Sequence, residues 1–161
     1  MTRKVQFHVV DADLTQFNFT TNNSQLLFNL NLNMTIKNPN LGFGIWFESI
    51  EVAVLYQDIN IGNMSLSPFY QGDDQGTRLL KMKLYGQKLV KLNAEQLALL
   101  SVEKIAEIFS MKVEVCIQMR VKIGPIRFKI KPKVRCGMNV PLITSRRSFP
   151  RFRIIGCYVA Y

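Results

Sequence analysis

An all-β, antiparallel sandwich carrying one helix is the fold this sequence predicts, and three observations predict it. Apolar and polar residues alternate with period two in run after run. The runs are short and are punctuated by Gly, Pro, Asn and Asp. A single segment shows helical spacing instead.

The most regular stretch is Leu26 to Asn40. There Phe28, Leu30, Leu32, Met34 and Ile36 alternate with Asn29, Asn31, Asn33, Thr35 and Lys37. A strand places the first set on one face and the second on the other, whereas a helix would scatter both around its circumference. The run stops at Asn38-Pro39-Asn40, where proline cannot donate to a ladder and asparagine favours a turn. Before it, Val5 to Val10 reads as a short strand ending at Asp11-Ala12-Asp13, and Gln16 to Thr20 as a second. After it, Ile50 to Tyr56 shares one face among Ile50, Val52, Val54 and Tyr56. Ile59 to Leu66 follows a turn at Gln57-Asp58, and Leu80, Met82 and Leu84 set a strand between Gly76 and Gly86.

Helical intervals occur once. Asn93 with Gln96 three residues later has the form of a capping box, and Leu97, Leu100, Ile105, Ile108 and Phe109 recur at helical spacing, so a helix is expected over about 94–109. A long hairpin follows. Val113, Val115, Ile117, Met119, Val121 and Ile123 form the apolar face of its first arm. After Gly124-Pro125, the residues Ile126, Phe128, Ile130, Val134, Cys136, Met138 and Val140 continue that face. The opposite face carries Lys112, Arg120, Lys122, Arg127, Lys129, Lys131, Lys133 and Arg135.

These eight side chains account for most of the charge asymmetry. From Lys112 to Arg153 there are twelve Lys or Arg against Glu114 alone, a local +11, so the other 119 residues sum to −1 within a net charge of +10. A one-sided cationic face suits an acidic partner: lipid headgroups, acidic wall polysaccharide or an acidic protein surface. The alternative is a solvated face that blunts a sheet edge. Nucleic acid is the runner-up partner. Phe128 falls on the apolar side of the hairpin, which leaves no aromatic interleaved with the charges to stack bases.

With 161 residues, 48% hydrophobic and 20% charged, the chain is expected to form one domain over 1–161, with 1–4 and 143–151 flexible. No run reaches the roughly 18 apolar residues of a membrane helix. The first residues, MTRKVQFHVVDADL, lack the apolar core and cleavage site of a signal peptide, so a soluble chain without an address is the expectation.

The order of these motifs is specific. Strand then Asn38-Pro39-Asn40, a strand ending in Tyr56, Pro68-Phe69-Tyr70-Gln71-Gly72, a helix, and a basic hairpin closing with Val134-Arg135-Cys136 together resemble the late-embryogenesis-abundant type 2 (water stress and hypersensitive response) domain. The PFYQG stretch and the basic hairpin are most similar to its plant harpin-induced-like and non-race-specific disease resistance-like membrane branch. The resemblance covers about residues 5 to 160. It implies an immunoglobulin or fibronectin type III-like sandwich without catalytic activity or cofactor. It further implies a role in defence and stress responses at the extracellular face of the plasma membrane, behind an anchoring span. Soluble protection of other macromolecules during water loss is the alternative role that the resemblance to the wider family implies.

The resemblance also implies a disulfide between Cys136 and Cys157. Cys116 lies on the basic face and Cys136 on the apolar one, so those two are not expected to bridge across the hairpin; three free thiols are the other possibility. Four glycosylation sequons begin at Asn18, Asn22, Asn33 and Asn63. Asn18 and Asn22 are the better candidates in an extracellular domain, while Asn33 sits in mid-strand. For catalysis the chain offers one histidine, His8, without a nearby nucleophile motif. Asp11 with Asp13 and Asp73 with Asp74 lack the oxygen-ligand spacing of a calcium loop and read as turn acids. No metal site or phosphate loop is expected.

Overall fold

A computed structural model describes residues 4–40, 42–72, 76–143 and 152–161. Among the described residues eleven strands and one helix follow one another: β1 (Gln6–Thr20), β2 (Gln25–Lys37), β3 (Phe43–Tyr56), β4 (Ile59–Leu66), β5 (Phe69–Gln71), β6 (Thr77–Leu89), α1 (Ala94–Ala106), β7 (Ile108–Ile123), β8 (Ile126–Ile130), β9 (Lys133–Pro141), β10 (Ile155–Gly156) and β11 (Tyr158–Ala160). Two antiparallel sheets form an all-β sandwich. One runs β10-β1-β2-β6; the other runs β11-β9-β7-β3-β4, with β5 extending the edge of β3 and β8 that of β7. The immunoglobulin and fibronectin likeness is approximate, because four strands face seven and a helix intervenes.

The predicted alternation is the core. Phe28, Leu30, Leu32, Met34 and Ile36 are all buried, facing the buried set Val113, Val115, Ile117, Met119 and Val121 from the other sheet. At roughly 1.5–3 kcal/mol for each fully buried large apolar side chain, this interlayer is the main source of stability.

Where the strands differ from expectation, bulges are the cause. The two short N-terminal strands are one continuous β1, with irregularities between Val9 and Asp11 and between Leu14 and Gln16. Each extra residue reverses the parity, so burial passes from Val5, Phe7 and Val9 to Ala12 and Leu14 and then to Phe17. Likewise β3 begins seven residues before Ile50, and an irregularity between Phe47 and Ser49 interrupts its alternation. Strand β6 runs straight through Gly86.

The helix is shorter than predicted. Its capping box is formed as expected, with Asn93 accepting from the Gln96 backbone N–H and the Gln96 side chain accepting from the Asn93 N–H. It ends at Ala106, because Glu107 adopts a left-handed conformation (φ 57°, ψ 33°) and closes the last turn. Ile108 and Phe109 open β7 instead, and Ile105 is 81% exposed rather than packed. Replacing Asn93 with alanine orphans the Gln96 N–H and is expected to cost about 1 kcal/mol, measured as a shift of the urea midpoint at constant slope.

Three features tie the sandwich together. Asn38 donates to the Phe43 carbonyl and accepts from the Asn40 N–H, which closes the turn after β2. Buried Glu103 on α1 accepts from the Tyr56 hydroxyl at 2.5 Å and from the Ser110 N–H at 2.7 Å, pinning the helix to β3 and β7. The last segment pairs first with β1 and then with β9, crossing between sheets at Cys157, whose N–H donates to the Phe7 carbonyl. There Cys157 is joined to Cys136 of β9 by a disulfide, with Cα atoms 4.6 Å apart. At the same pole Lys4 donates to the Val159 carbonyl and the Val5 N–H to the Tyr161 hydroxyl. Of the segments expected to be flexible, residues 1–3 and 144–151 lie outside the described residues.

Candidate functional site

The basic hairpin is built on one unbroken register. Partners in β7 with β8, and in β7 with β9, sum to the same number, from Ile123 opposite Ile126 to Ile108 opposite Pro141, so the two-residue turn is Gly124-Pro125. Gly124 supplies the positive φ (56°) that this tight turn requires. The ladder is broken only where Pro132 lacks an N–H; its carbonyl still accepts from the Ile117 N–H. Because the register holds, the cationic residues share the outer face of the seven-stranded sheet.

That face divides in two. Near the helix end, charges are neutralised: Lys112 pairs with Asp58 at 2.8 Å and Lys133 with Glu114 at 3.1 Å, while Arg135 stands directly across the ladder from Glu114. Near the hairpin turn they are not. Arg120, Lys122, Arg127 and Lys129 have no acidic partner among the described residues. Lys131, between β8 and β9, is exposed.

The unneutralised half carries aromatic rings that sequence reasoning missed. Trp46 on β3 lies opposite Arg120 on one side and Tyr70 of β5 on the other; Arg120 in turn lies opposite Lys129 of β8. A single row across four strands therefore reads Tyr70, Trp46, Arg120, Lys129. The Trp46 and Tyr70 rings meet with centroids 4.5 Å apart, and the Arg120 guanidinium stands 5.3 Å from the Trp46 ring. In the adjoining row Gly44 precedes Lys122 and Arg127. A Cβ at Gly44 would run into the Tyr70 hydroxyl and ring, so glycine is what lets the Tyr70 ring lie down on the sheet. Trp46, Arg120, Lys122 and Arg127 line a small cleft of about 110 Å³. The absence of aromatics interleaved with the charges, expected from the hairpin alone, is thus corrected: the rings arrive from β3 and β5.

The Pro68–Gly72 motif explains itself here. Phe69 stacks on Phe47 at 4.6 Å beneath the Arg78 guanidinium, Tyr70 joins Trp46, and buried Gln71 donates to the Ile36 and Gly76 carbonyls. Phe128 keeps its inward parity but sits at the open end of the sandwich, 39% exposed beside a cleft of about 360 Å³.

Asn18, Asn22 and Asn63 are exposed; Asn63 exchanges side-chain hydrogen bonds with Asn60. Asn33 is half-buried on the central strand β2, flanked by Asp11 and Lys81. Cys116 is a free, exposed thiol on the outer face. His8 is half-buried on β1 between Thr35 and Gly156. Asp11 is exposed, and Asp13 accepts from the Asn31 side chain at 2.9 Å; Asp73 and Asp74 lie outside the described residues. Among the described residues no three metal-ligating side chains cluster, and no helix is long and apolar enough to cross a membrane. A groove of about 620 Å³ beside α1 is lined largely by apolar residues, with the paired Asp58 and Lys112 and Arg153 at its charged points.

Comparison with known proteins adds the family. Residues 33–137 match the profile described as late embryogenesis abundant protein. Three Arabidopsis thaliana proteins align over most of the chain. NDR1/HIN1-like protein 10 is 37% identical over 89% of this chain and 63% of its own length. NDR1/HIN1-like protein 3 is 35% identical over 98% and 68%, and NDR1/HIN1-like protein 2 is 34% identical over 88% and 59%. The chain therefore spans about three-fifths to two-thirds of the length of these relatives. With the sandwich, the PFYQG strand and the basic hairpin all in place, the chain belongs to the late embryogenesis abundant family, among its NDR1/HIN1-like members.

Proposed function

We propose that this chain is a non-catalytic recognition module of plant stress and defence responses, displayed on the outer side of the plasma membrane, which works by contact between its cationic sheet face and an acidic partner. The observation that carries the reading is the unneutralised half of that face, where four cations from β7 and β8 stand together beside two aromatic rings. Solubility alone would not call for this concentration of one sign, since a solvated face interleaves both. The Cys136–Cys157 disulfide supports a compartment outside the reducing cytosol, and the exposed sequons at Asn18, Asn22 and Asn63 are available there. The names of the relatives support the stress and defence setting.

The test is retention by purified plant cell walls. Wild-type protein is expected to sediment with them and to be released as salt rises. Reversing Lys122, Arg127 and Lys129 to glutamate lowers the retained fraction roughly tenfold, because each reversal turns attraction to a polyanion into repulsion. Equal retention of the reversed protein, or none of the wild type, removes the reading. The stripe of Leu99, Val102 and Ile105 exposed along α1 favours a second role, shielding other proteins during water loss. Client enzymes that lose activity equally with and without the chain on drying would dismiss it.

A further inference from the structure

We propose that the Trp46–Tyr70 surface and its flanking cations form a binding site for carboxylated polysaccharide, with the indole and phenol rings carrying a sugar ring and Arg120, Lys122 and Arg127 holding uronate carboxylates. The inference rests on the reading above, that the cationic face meets an acidic partner, and gives that partner a chemical class.

Three observations converge on it. Trp46 and Tyr70 are 36% and 42% exposed, yet they touch each other at an interplanar angle of 50°, the Tyr70 ring packed over Gly44, so apolar ring surface is held open instead of being folded inward. A pyranose offers an apolar C–H face of matching shape, and covering an aromatic ring with it removes apolar area from water. Next, Arg120 and Lys129 stand in the same cross-strand row as the rings and Lys122 and Arg127 in the adjoining one, about 5 Å apart from strand to strand. A uronate joins a carboxylate to a sugar ring, so one residue of such a polymer engages a ring and a guanidinium together, and guanidinium suits the planar carboxylate best. Arg120 is half-buried against the Trp46 ring, which fixes its fork before any ligand arrives.

The competing polyanions fit less well. Single-stranded nucleic acid needs successive stacking platforms along a groove, whereas the rings here are two tilted neighbours at one end of a row. The strongly anionic lipid surface is the cytoplasmic one, and a disulfide-bonded domain belongs on the other side.

Trp46 is the only tryptophan in the chain, so its fluorescence reports this site alone. Titration with oligogalacturonate is expected to give a saturable change in Trp46 emission. Trp46→Ala, followed by calorimetry, and Tyr70→Ala, followed by Trp46 emission, each weaken binding roughly tenfold, the loss of one stacked ring. Arg120→Gln does the same by removing a charge-assisted hydrogen bond. Fully methyl-esterified oligogalacturonate, which keeps the ring and loses the charge, binds roughly tenfold more weakly or worse; so does a single-stranded DNA of equal charge, as do anionic vesicles. Melting temperatures of the variants verify that they are folded. If wall retention and charge reversal behave as described above but Trp46 emission does not respond, or Trp46→Ala and Tyr70→Ala bind as wild type, or DNA or vesicles match oligogalacturonate, the saccharide site is overturned and the face is a general charge patch. If no polyanion binds the wild type at all, the broader reading falls with it.

Discussion

Replacing Cys136 with alanine is expected to lower the melting temperature by roughly 10 °C. The disulfide spans a separation of 21 residues, and closing a loop of that size restricts the unfolded chain by about 3 kcal/mol. For a chain of this length each kcal/mol moves the midpoint by about 2–4 °C. The effect belongs to the bond and not to the side chains, so Cys157→Ala, the double variant and reduced wild type should all melt together. It is also local in the native state. Strands β10 and β11 contain two and three residues and are held to the body by few backbone pairings. Hydrogen exchange in residues 152–161 should accelerate on reduction, while β2 and β7 keep their protection. Scanning calorimetry with and without reductant checks the first claim. Identical midpoints in the two conditions would show that the link adds nothing to stability.

Tyr56→Phe is expected to cost about 2 kcal/mol near neutral pH. It removes one of two hydrogen bonds to the buried Glu103 carboxylate, and bonds to charged acceptors contribute about 1.5–3 kcal/mol. The same contact sets an alkaline limit. Burial, then the hydrogen bond to Glu103 and the negative charge of that group, raise the Tyr56 phenol well above its ordinary value. In the unfolded chain the phenol ionises near about pH 10, while in the folded chain it stays protonated. The folded state therefore holds more protons as pH rises past that point. Its stability is fully present below about pH 10 and is lost above it, at about 1.4 kcal/mol per pH unit for this one group. Chemical denaturation at alkaline pH reads the slope. The phenylalanine variant, lacking the group, should fall less steeply by that amount; equal slopes would mean that Tyr56 ionises as easily folded as unfolded.

How much of this was legible in the sequence depended on whether a feature obeys one period. Strand β2 and the hairpin of β7, β8 and β9 keep strict alternation and a constant register, so their faces could be assigned residue by residue. Strands β1 and β3 contain bulges, and period two fails at each: Val9 and Ala12 are both buried although they differ in parity. The end of α1 was hidden for another reason. Phe109 fits a helical interval from Ile105 as well as it fits the alternation with Met111 and Val113, and only the left-handed turn at Glu107 decides between them.

The candidate site was half visible. Its cations cluster in sequence because one hairpin carries them. Its rings do not, since Trp46, Tyr70 and Arg120 become neighbours only through the pairing of β5 with β3 and β3 with β7. The PFYQG stretch was the available signal. It marked the position of Tyr70 and gave no indication of which strand it would lie against.

The crossing at Cys157 bears on how the molecule answers to mechanical load. Tension applied at Tyr161 would first peel the three residues of β11 from the outer edge of β9. The covalent link to Cys136 then arrests the peeling and passes the force to β9, which is bonded along its length to β7 in the middle of the sheet. Load on a three-residue edge strand thereby passes into the middle of the seven-stranded sheet.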